Sequence, residues 1–286
     1  MDAPRPPQPH FPSPYRRPQT APCWAGHVTT DDGARIAAFV YGRAGGRDDV
    51  VFLHGNGEEH GIFGPMVDAV VARGHRAVGI DSRAQGRSTR GDAERLSYEL
   101  MARDALDVMD RLGMACAHIL GFSDGGIEAL VLARDHPERV RSLTVLGANL
   151  TPGGIIEDED WDVAGTVATC RAWADWLEGQ AGGDVDATLV TPSAAEARQT
   201  AELLDLMLRE PHIDAEGLGC ISCPTTVMAG EFDCVRPQET RTIVRSIPGA
   251  RLRIVAGAGH TLPKEVPDEV CDELLRTLGR AELPIG

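Results

Sequence analysis

A serine framed by glycines, Gly121-Phe122-Ser123-Asp124-Gly125-Gly126, is the pattern in this 286-residue chain best suited to chemistry. This G-x-S-x-G run sits between a strand-like apolar stretch (118–120) and a helix-like one (127–134). Flanking glycines permit a strained turn that lifts the serine hydroxyl clear of the sheet. The helix behind it turns its positive end toward the reacting centre. A serine in an ordinary turn would need neither feature, so Ser123 reads as a nucleophile. A hydroxyl is nearly inert until a base takes its proton, and that base needs an acid to orient it. Among nine histidines His260 is the expected base, because it follows the strand-like run 252–255 through Gly257-Ala258-Gly259. Asp233, after the strand-like run 225–228, is the expected acid, with Glu231 a rival nearer the strand. The turn after residues 140–146 offers Ala148 and Asn149, hence no carboxylate.

An acyl transfer also needs donors for the oxyanion. His54-Gly55-Asn56-Gly57 follows its strand directly, and the backbone amides of Asn56 and Asp124 are the expected pair. The Asp124 carboxylate would oppose an oxyanion if it faced one. It must turn away, to cap the helix, to pair with Arg83 or Arg87, or to face an acyl pocket. Glu58-Glu59-His60 lacks H-E-x-x-H spacing, and Cys220-x-x-Cys223 has no second pair, so neither implies a metal. No metal and no cofactor are expected.

These residues need a scaffold that brings strand ends together. Strand-like runs at 36–41, 50–53, 77–80, 118–120, 140–146, 225–228 and 252–255 alternate with helical spacing over 98–112, 127–134 and 263–278. Such alternation predicts an α/β fold with a mostly parallel sheet and helices on both faces. Residues 25–149 and 220–286 form the expected core. Residues 150–219 break the rhythm: helical patterns over 158–177 and from Ser193 to Leu208 predict a helical cap over the carboxyl ends of the strands. Three of the four tryptophans, Trp161, Trp173 and Trp176, lie there, and Trp161 joins Asp124 as an expected substrate contact. Residues 1–24, dense in proline, read as a disordered tail.

Composition narrows the function. The 28 Lys+Arg against 43 Asp+Glu give a net charge of −15, which repels phosphate backbones and anionic lipid surfaces. Neither nucleic acid nor membrane is expected as a partner, and no apolar run is long enough to span a bilayer. Seven scattered cysteines and no apolar leader suggest a reducing cytoplasm. The oligomeric state is not legible.

Over residues 35–278 the chain resembles the α/β-hydrolase superfamily. The resemblance rests on His54-Gly55-Asn56-Gly57, on Asp81-Ser82-Arg83-Ala84-Gln85-Gly86-Arg87-Ser88, on the Ser123 elbow, and on Asp233 and Gly259-His260. The order Ser, Asp, His is that family's order. Ala84 stands where relatives usually carry glycine. The Ser-Asp-Gly-Gly elbow is similar to the valacyclovir-hydrolase-like branch of serine esterases. It implies hydrolysis of small esters with no cofactor, with Asp124 receiving the α-amino group of an amino-acid ester. Relatives that open epoxides or remove halogens carry aspartate at the elbow, so Ser123 argues against those reactions. The same three residues would also serve carbon–carbon hydrolysis or cofactor-free perhydrolysis. A non-catalytic binding protein on this scaffold would be expected to have lost one of them.

Overall fold

Short runs of β-branched and apolar residues between glycines form strands because both of their faces can be buried. A computed structural model describes residues 4, 6, 7, 15–43, 45, 47–156, 162–179 and 191–282. Among these residues the strands are β1 (Trp24–Thr29), β2 (Arg35–Tyr41), β3 (Asp49–Leu53), β4 (Arg76–Ile80), β5 (Ala117–Phe122), β6 (Val140–Leu146), β7 (Thr225–Gly230) and β8 (Arg251–Val255). One sheet joins them in the order β1-β2-β4-β3-β5-β6-β7-β8. β1–β2 and β2–β4 are antiparallel, and every later neighbour is parallel. The helices are α1 (Gly64–Ala72), α2 (Tyr98–Arg111), α3 (Asp124–Asp135), α4 (Val163–Gly179), α5 (Ala194–Arg209), α6 (Pro237–Ser246), α7 (Leu262–Glu265) and α8 (Pro267–Glu282). Phe52, Leu120, Phe122, Leu146 and Met228 pack with Met66 and Val67 of α1 and with Val270 and Leu274 of α8. Side chains alternate along a strand, so Val51, Ile119 and Val145 serve the opposite face.

The chain divides into two units, Met1–Ser13 with Glu157–Glu210, and Pro14–Ile156 with Pro211–Gly286. The segment Glu157–Glu210 of the first unit lies within the 150–219 expected for the insertion. The amides of Leu150 and Thr151 donate to Glu239, Ile155 pairs with Val235, and the Ile213 amide donates to Leu150 O. In the helical unit Val167, Cys170, Trp173, Ala174, Ala197 and Ala201 are the shared core of α4 and α5. Ser193 and Glu196 form the expected capping box. Trp173 stacks on Trp176 at 5.2 Å and donates to Pro192 O, so within this unit both tryptophans bind its parts together.

Part of the tail expected to be disordered is tied down. The amides of Gln19 and Thr20 donate to Asp68, Tyr15 and Arg17 bond to Glu59, and Cys23 continues into β1. The strap passes so close to α1 that a Cβ on Gly64 would lie 2.1 Å from Arg16 O. Residues 1–3, 5 and 8–14 lie outside the described residues. The last predicted helix is two, because Pro267 disfavours helical backbone at Val266 (φ −136°, ψ 53°). Gly279 lies inside α8 and does not close it.

The loop after β4 is held by one buried cation. Arg83, 1% exposed, is bidentate to Asp104 (2.7 and 2.6 Å) and also bonds Asp32 at 2.5 Å. Beside it Ala84 takes φ 61°, the left-handed backbone for which glycine is the usual residue. Arg83→Met leaves Asp104 buried without its counter-ion and is expected to cost about 3–5 kcal/mol in a urea unfolding titration. A loss below about 1 kcal/mol would mean that the pair does not hold this loop.

Candidate active site

The end of β5 meets α3 at Ser123, whose backbone sits at φ 54°, ψ −118°. No side chain fits beside this turn: a Cβ on Gly121 would lie 2.1 Å from Gly125 O, and one on Gly125 would lie 2.2 Å from Leu53 O. The turn is fastened by the Ser123 amide to Leu146 O (2.8 Å) and the Gly125 amide to His54 O (3.0 Å). The elbow is thereby clamped between the ends of β3 and β6.

The structure brings Ser123, His260 and Asp233 into one hydrogen-bonded series. Ser123 Oγ lies 3.0 Å from His260 Nε2, and His260 Nδ1 lies 2.7 Å from Asp233 Oδ1. The Val235 amide also donates to Asp233 Oδ1. The rival Glu231 is turned elsewhere and accepts from the Gly257 amide. Asn149, at the other loop considered for an acid, donates to Thr151 O. Burial disfavours the imidazolium of His260, but its hydrogen bonds to Asp233 and Cys234 outweigh that and hold the imidazole above its ordinary pKa.

Two residues that build this arrangement were not singled out from the sequence. Glu265 of α7 accepts the amides of Gly259 (2.6 Å) and Thr261 (2.8 Å), on either side of His260. Gly147, after β6, lies beneath the imidazole at φ 57°; a Cβ there would lie 2.9 Å from His260 Cε1 and 3.2 Å from Asp233 Oδ2. The glycine directly after an apolar strand is the signal that points to Gly147. Glu265 leaves no comparable mark, because its job is to receive backbone amides.

The expected oxyanion loop, His54 to Gly57, lies against the elbow. A Cβ on Gly55 would approach Ser123 Cβ to 3.0 Å. His54 is buried; its Nε2 accepts the Ser82 amide and burial keeps the ring neutral. The Gly57 amide donates to Gln85 Oε1 at 2.6 Å. Asp124 is the first residue of α3, a position whose amide has no partner within the helix.

The Asp124 side chain departs from one expectation. Neither arginine reaches it: Arg83 is committed to Asp104 and Asp32, and Arg87 lies over the Phe39 ring. Instead Asp124, 2% exposed, accepts from Tyr98 Oη and Asn56 Nδ2, both at 3.0 Å. Burial raises its pKa to about 6, against the pull of those two hydrogen bonds. One turn along α3 lies Glu128, also buried, accepting from Ser82 Oγ at 3.1 Å. Burial first and then the Asp124 charge push Glu128 well above the usual carboxylate range. Trp161, expected to touch substrate, lies outside the described residues.

Cys220 Sγ donates to Arg134 O and Gly217 O, Cys223 lies by Thr225, and all seven cysteines are free. No described helix is long and apolar enough to cross a membrane.

Known proteins match this chain. The model of a family described as the alpha/beta hydrolase fold matches residues 49–210. The chain is 29% identical over 255 residues to a Caulobacter sp. (strain K31) protein, RutD, whose name assigns it carbamate hydrolysis. That match covers 79% of this chain and 89% of the relative. It is 28% identical over 240 residues to the serine hydrolase BPHL of Homo sapiens, covering 80% and 79% respectively. In structure it is similar to an esterase of Exiguobacterium antarcticum, with TM-score 0.70 and 21% identity, over 90% of this chain and 100% of that one. That last likeness is one of fold.

Gly147→Ala should test whether the imidazole's seat matters. Displacing His260 by a fraction of an ångström to an ångström is expected to lower kcat about 10²-fold, and the strain of alanine at φ 57° should also lower the midpoint of thermal unfolding. Unchanged kcat in a folded variant would mean that Gly147 does not set the imidazole's position.

Proposed function

This chain belongs to the alpha/beta hydrolase fold family and is a hydrolase; on that premise we propose that it cleaves small carboxylic esters through an acyl-enzyme on Ser123. The observation that carries this reading is the series Ser123–His260–Asp233, with contacts of 3.0 and 2.7 Å, at the head of a strained elbow. Ser123 Oγ attacks the carbonyl carbon as its proton passes to His260 Nε2. Asp233 holds the proton on Nδ1, so that Nε2 is free to accept, and balances the imidazolium as it forms. The amides of Asn56 and Asp124 receive the oxyanion. His260 then protonates the departing alcohol, and deprotonates the water that releases the acid.

The environment of Asp124 favours one class of ester. A buried carboxylate with two neutral donors and no cation beside it among the described residues has its charge only partly satisfied. The α-amino group of an amino-acid ester would complete it, with the scissile carbonyl two bonds away at Ser123. Asn56 joins the two tasks, since its side chain holds Asp124 while its amide faces the oxyanion.

Ser123→Ala should fold normally, lose fluorophosphonate labelling and lose about 10³-fold or more in turnover of p-nitrophenyl esters. Labelling that survives the substitution would remove Ser123 from the role. A dienone-type carbon–carbon substrate turned over faster than any ester would overturn the ester reading itself.

Asp124→Ala should remove about 2–5 kcal/mol of selectivity for α-amino esters over neutral esters of equal size. In the wild type the ratio of kcat/KM for the two substrates should rise with pH through about 6, as Asp124 ionises. Both substrates depend on His260, so the ratio cancels its titration and isolates Asp124. A ratio flat between pH 5 and pH 7, marks chosen on either side of about 6, together with equal losses in Asp124→Ala, would make Asp124 a structural residue.

A further inference from the structure

Beside the imidazole stands a sulfur for which ester hydrolysis has no use. A carboxylate oxygen of Asp233, Cys234 Sγ and a ring nitrogen of His260 lie within 4.8 Å of one another. The Asp233 side chain is 2% exposed, and its two oxygens are treated unequally. Oδ1 accepts from both His260 and Val235, whereas Oδ2 is buried with no hydrogen-bond partner among the described residues. A buried carboxylate oxygen without a donor is a costly arrangement, and a cation would satisfy it. Cys234 is a free thiol, only half-buried, so the group can be reached from solvent. Thiolate, imidazole and carboxylate make up a donor set that suits zinc, while magnesium and calcium take oxygen ligands.

We propose that Asp233, Cys234 and His260 form an inhibitory Zn2+ site that switches off hydrolysis by fixing the imidazole in the wrong tautomer. The Cys234 thiol releases its proton to solvent and its sulfur bonds to the metal. His260 Nδ1, the nitrogen already turned toward Asp233, gives up its hydrogen bond and donates its lone pair to the metal. Its proton moves through solvent to Nε2. The Asp233 carboxylate supplies the third ligand and a water the fourth, and the two ligand charges cancel the charge of the ion. No electron changes hands. A protonated Nε2 cannot accept the Ser123 proton, so inhibition follows without the metal occupying the ester pocket. The inhibition rests on His260 being the base of the proposed reaction, whereas the metal binding does not.

The test uses the full chain, reduced and stripped with EDTA, with Co2+ as a spectroscopic probe and Zn2+ as inhibitor. Co2+ should produce a thiolate-to-metal charge-transfer band that Zn2+ abolishes. Cys234→Ala should weaken that binding at least about 10-fold, whereas Cys223→Ala should not. With a p-nitrophenyl ester, Zn2+ should lower kcat at unchanged KM, and EDTA should restore it. Cys234→Ala, referred to its own metal-free rate, should need at least about 10-fold more Zn2+ for the same inhibition. A missing band, or one that persists in Cys234→Ala, overturns the site. Zn2+ that raises KM alone overturns the tautomer mechanism. A Cys234-dependent band in a protein that hydrolyses no ester supports the site and counts against the ester reading instead.

Discussion

Ser123 can lift its hydroxyl out of the sheet only while its backbone is held at φ 54°, ψ −118°. An L-residue adopts such a conformation at a cost of about 1–3 kcal/mol, so the surroundings must over-determine it. They do so from three strands at once. Leu146 O at the end of β6 receives the Ser123 amide, His54 O beyond β3 receives the Gly125 amide, and β5 supplies the turn itself. The glycines at 121 and 125 follow from this closeness, because backbone carbonyls lie 2.1 and 2.2 Å from where their Cβ atoms would be. Parallel β3, β5 and β6 in register are thus what permits the elbow.

Around the elbow the loops are coupled through buried polar groups. His54 accepts from Ser82 and Gln85 accepts from Gly57, which joins the loop after β3 to the loop after β4. Asp81 strengthens the joint by accepting from the amide and the ring of His60 and from the Arg87 amide. Arg83 then anchors the second loop to Asp104 and Asp32. The loop after β3, proposed to receive the oxyanion, is accordingly pre-set, which is the condition under which fixed dipoles stabilise a developing charge without reorganising. The strap at residues 15–20 fastens the same region from outside, through Glu59 and Asp68.

Much of this was legible in the sequence because the dominant signals are local. Strands buried on both faces leave unbroken apolar runs, and β6 matches its predicted span residue for residue. G-x-S-x-G marks the elbow because its steric demand falls on neighbouring residues. β1 was missed because five of its six positions are not buried, so no apolar run betrays it. α6 was missed because only Thr240 and Ile243 are buried, and its signal was Pro237 at the first turn with Glu239 and Arg245 placed to suit the helix dipole. Pro267 was present in the sequence and should have divided the last helix. The partners of Asp124 could not be read at all. Tyr98 and Asn56 reach it from elements far apart in the chain, and spacing carries no information about such meetings.

The acid pair on α3 shows why the fold needs its firm anchors. Asp124 and Glu128 are both buried and share no cation among the described residues, and burial pushes both carboxyls up, Glu128 well above the usual carboxylate range. The rise of Asp124 from 3.8 to about 6 corresponds to about 3 kcal/mol of folded-state stability forfeited when it ionises. Because the folded pKa is the higher one, that stability is present in acid and is lost as pH rises through about 6. A fold selected for stability alone would place a neutral side chain there. Retaining the carboxylate makes sense if its charge is neutralised in the working complex, where a cationic ligand would recover part of the forfeited energy as binding. Arg83 with its two carboxylates, set in the adjoining loop, lets the elbow region tolerate an uncompensated charge until then.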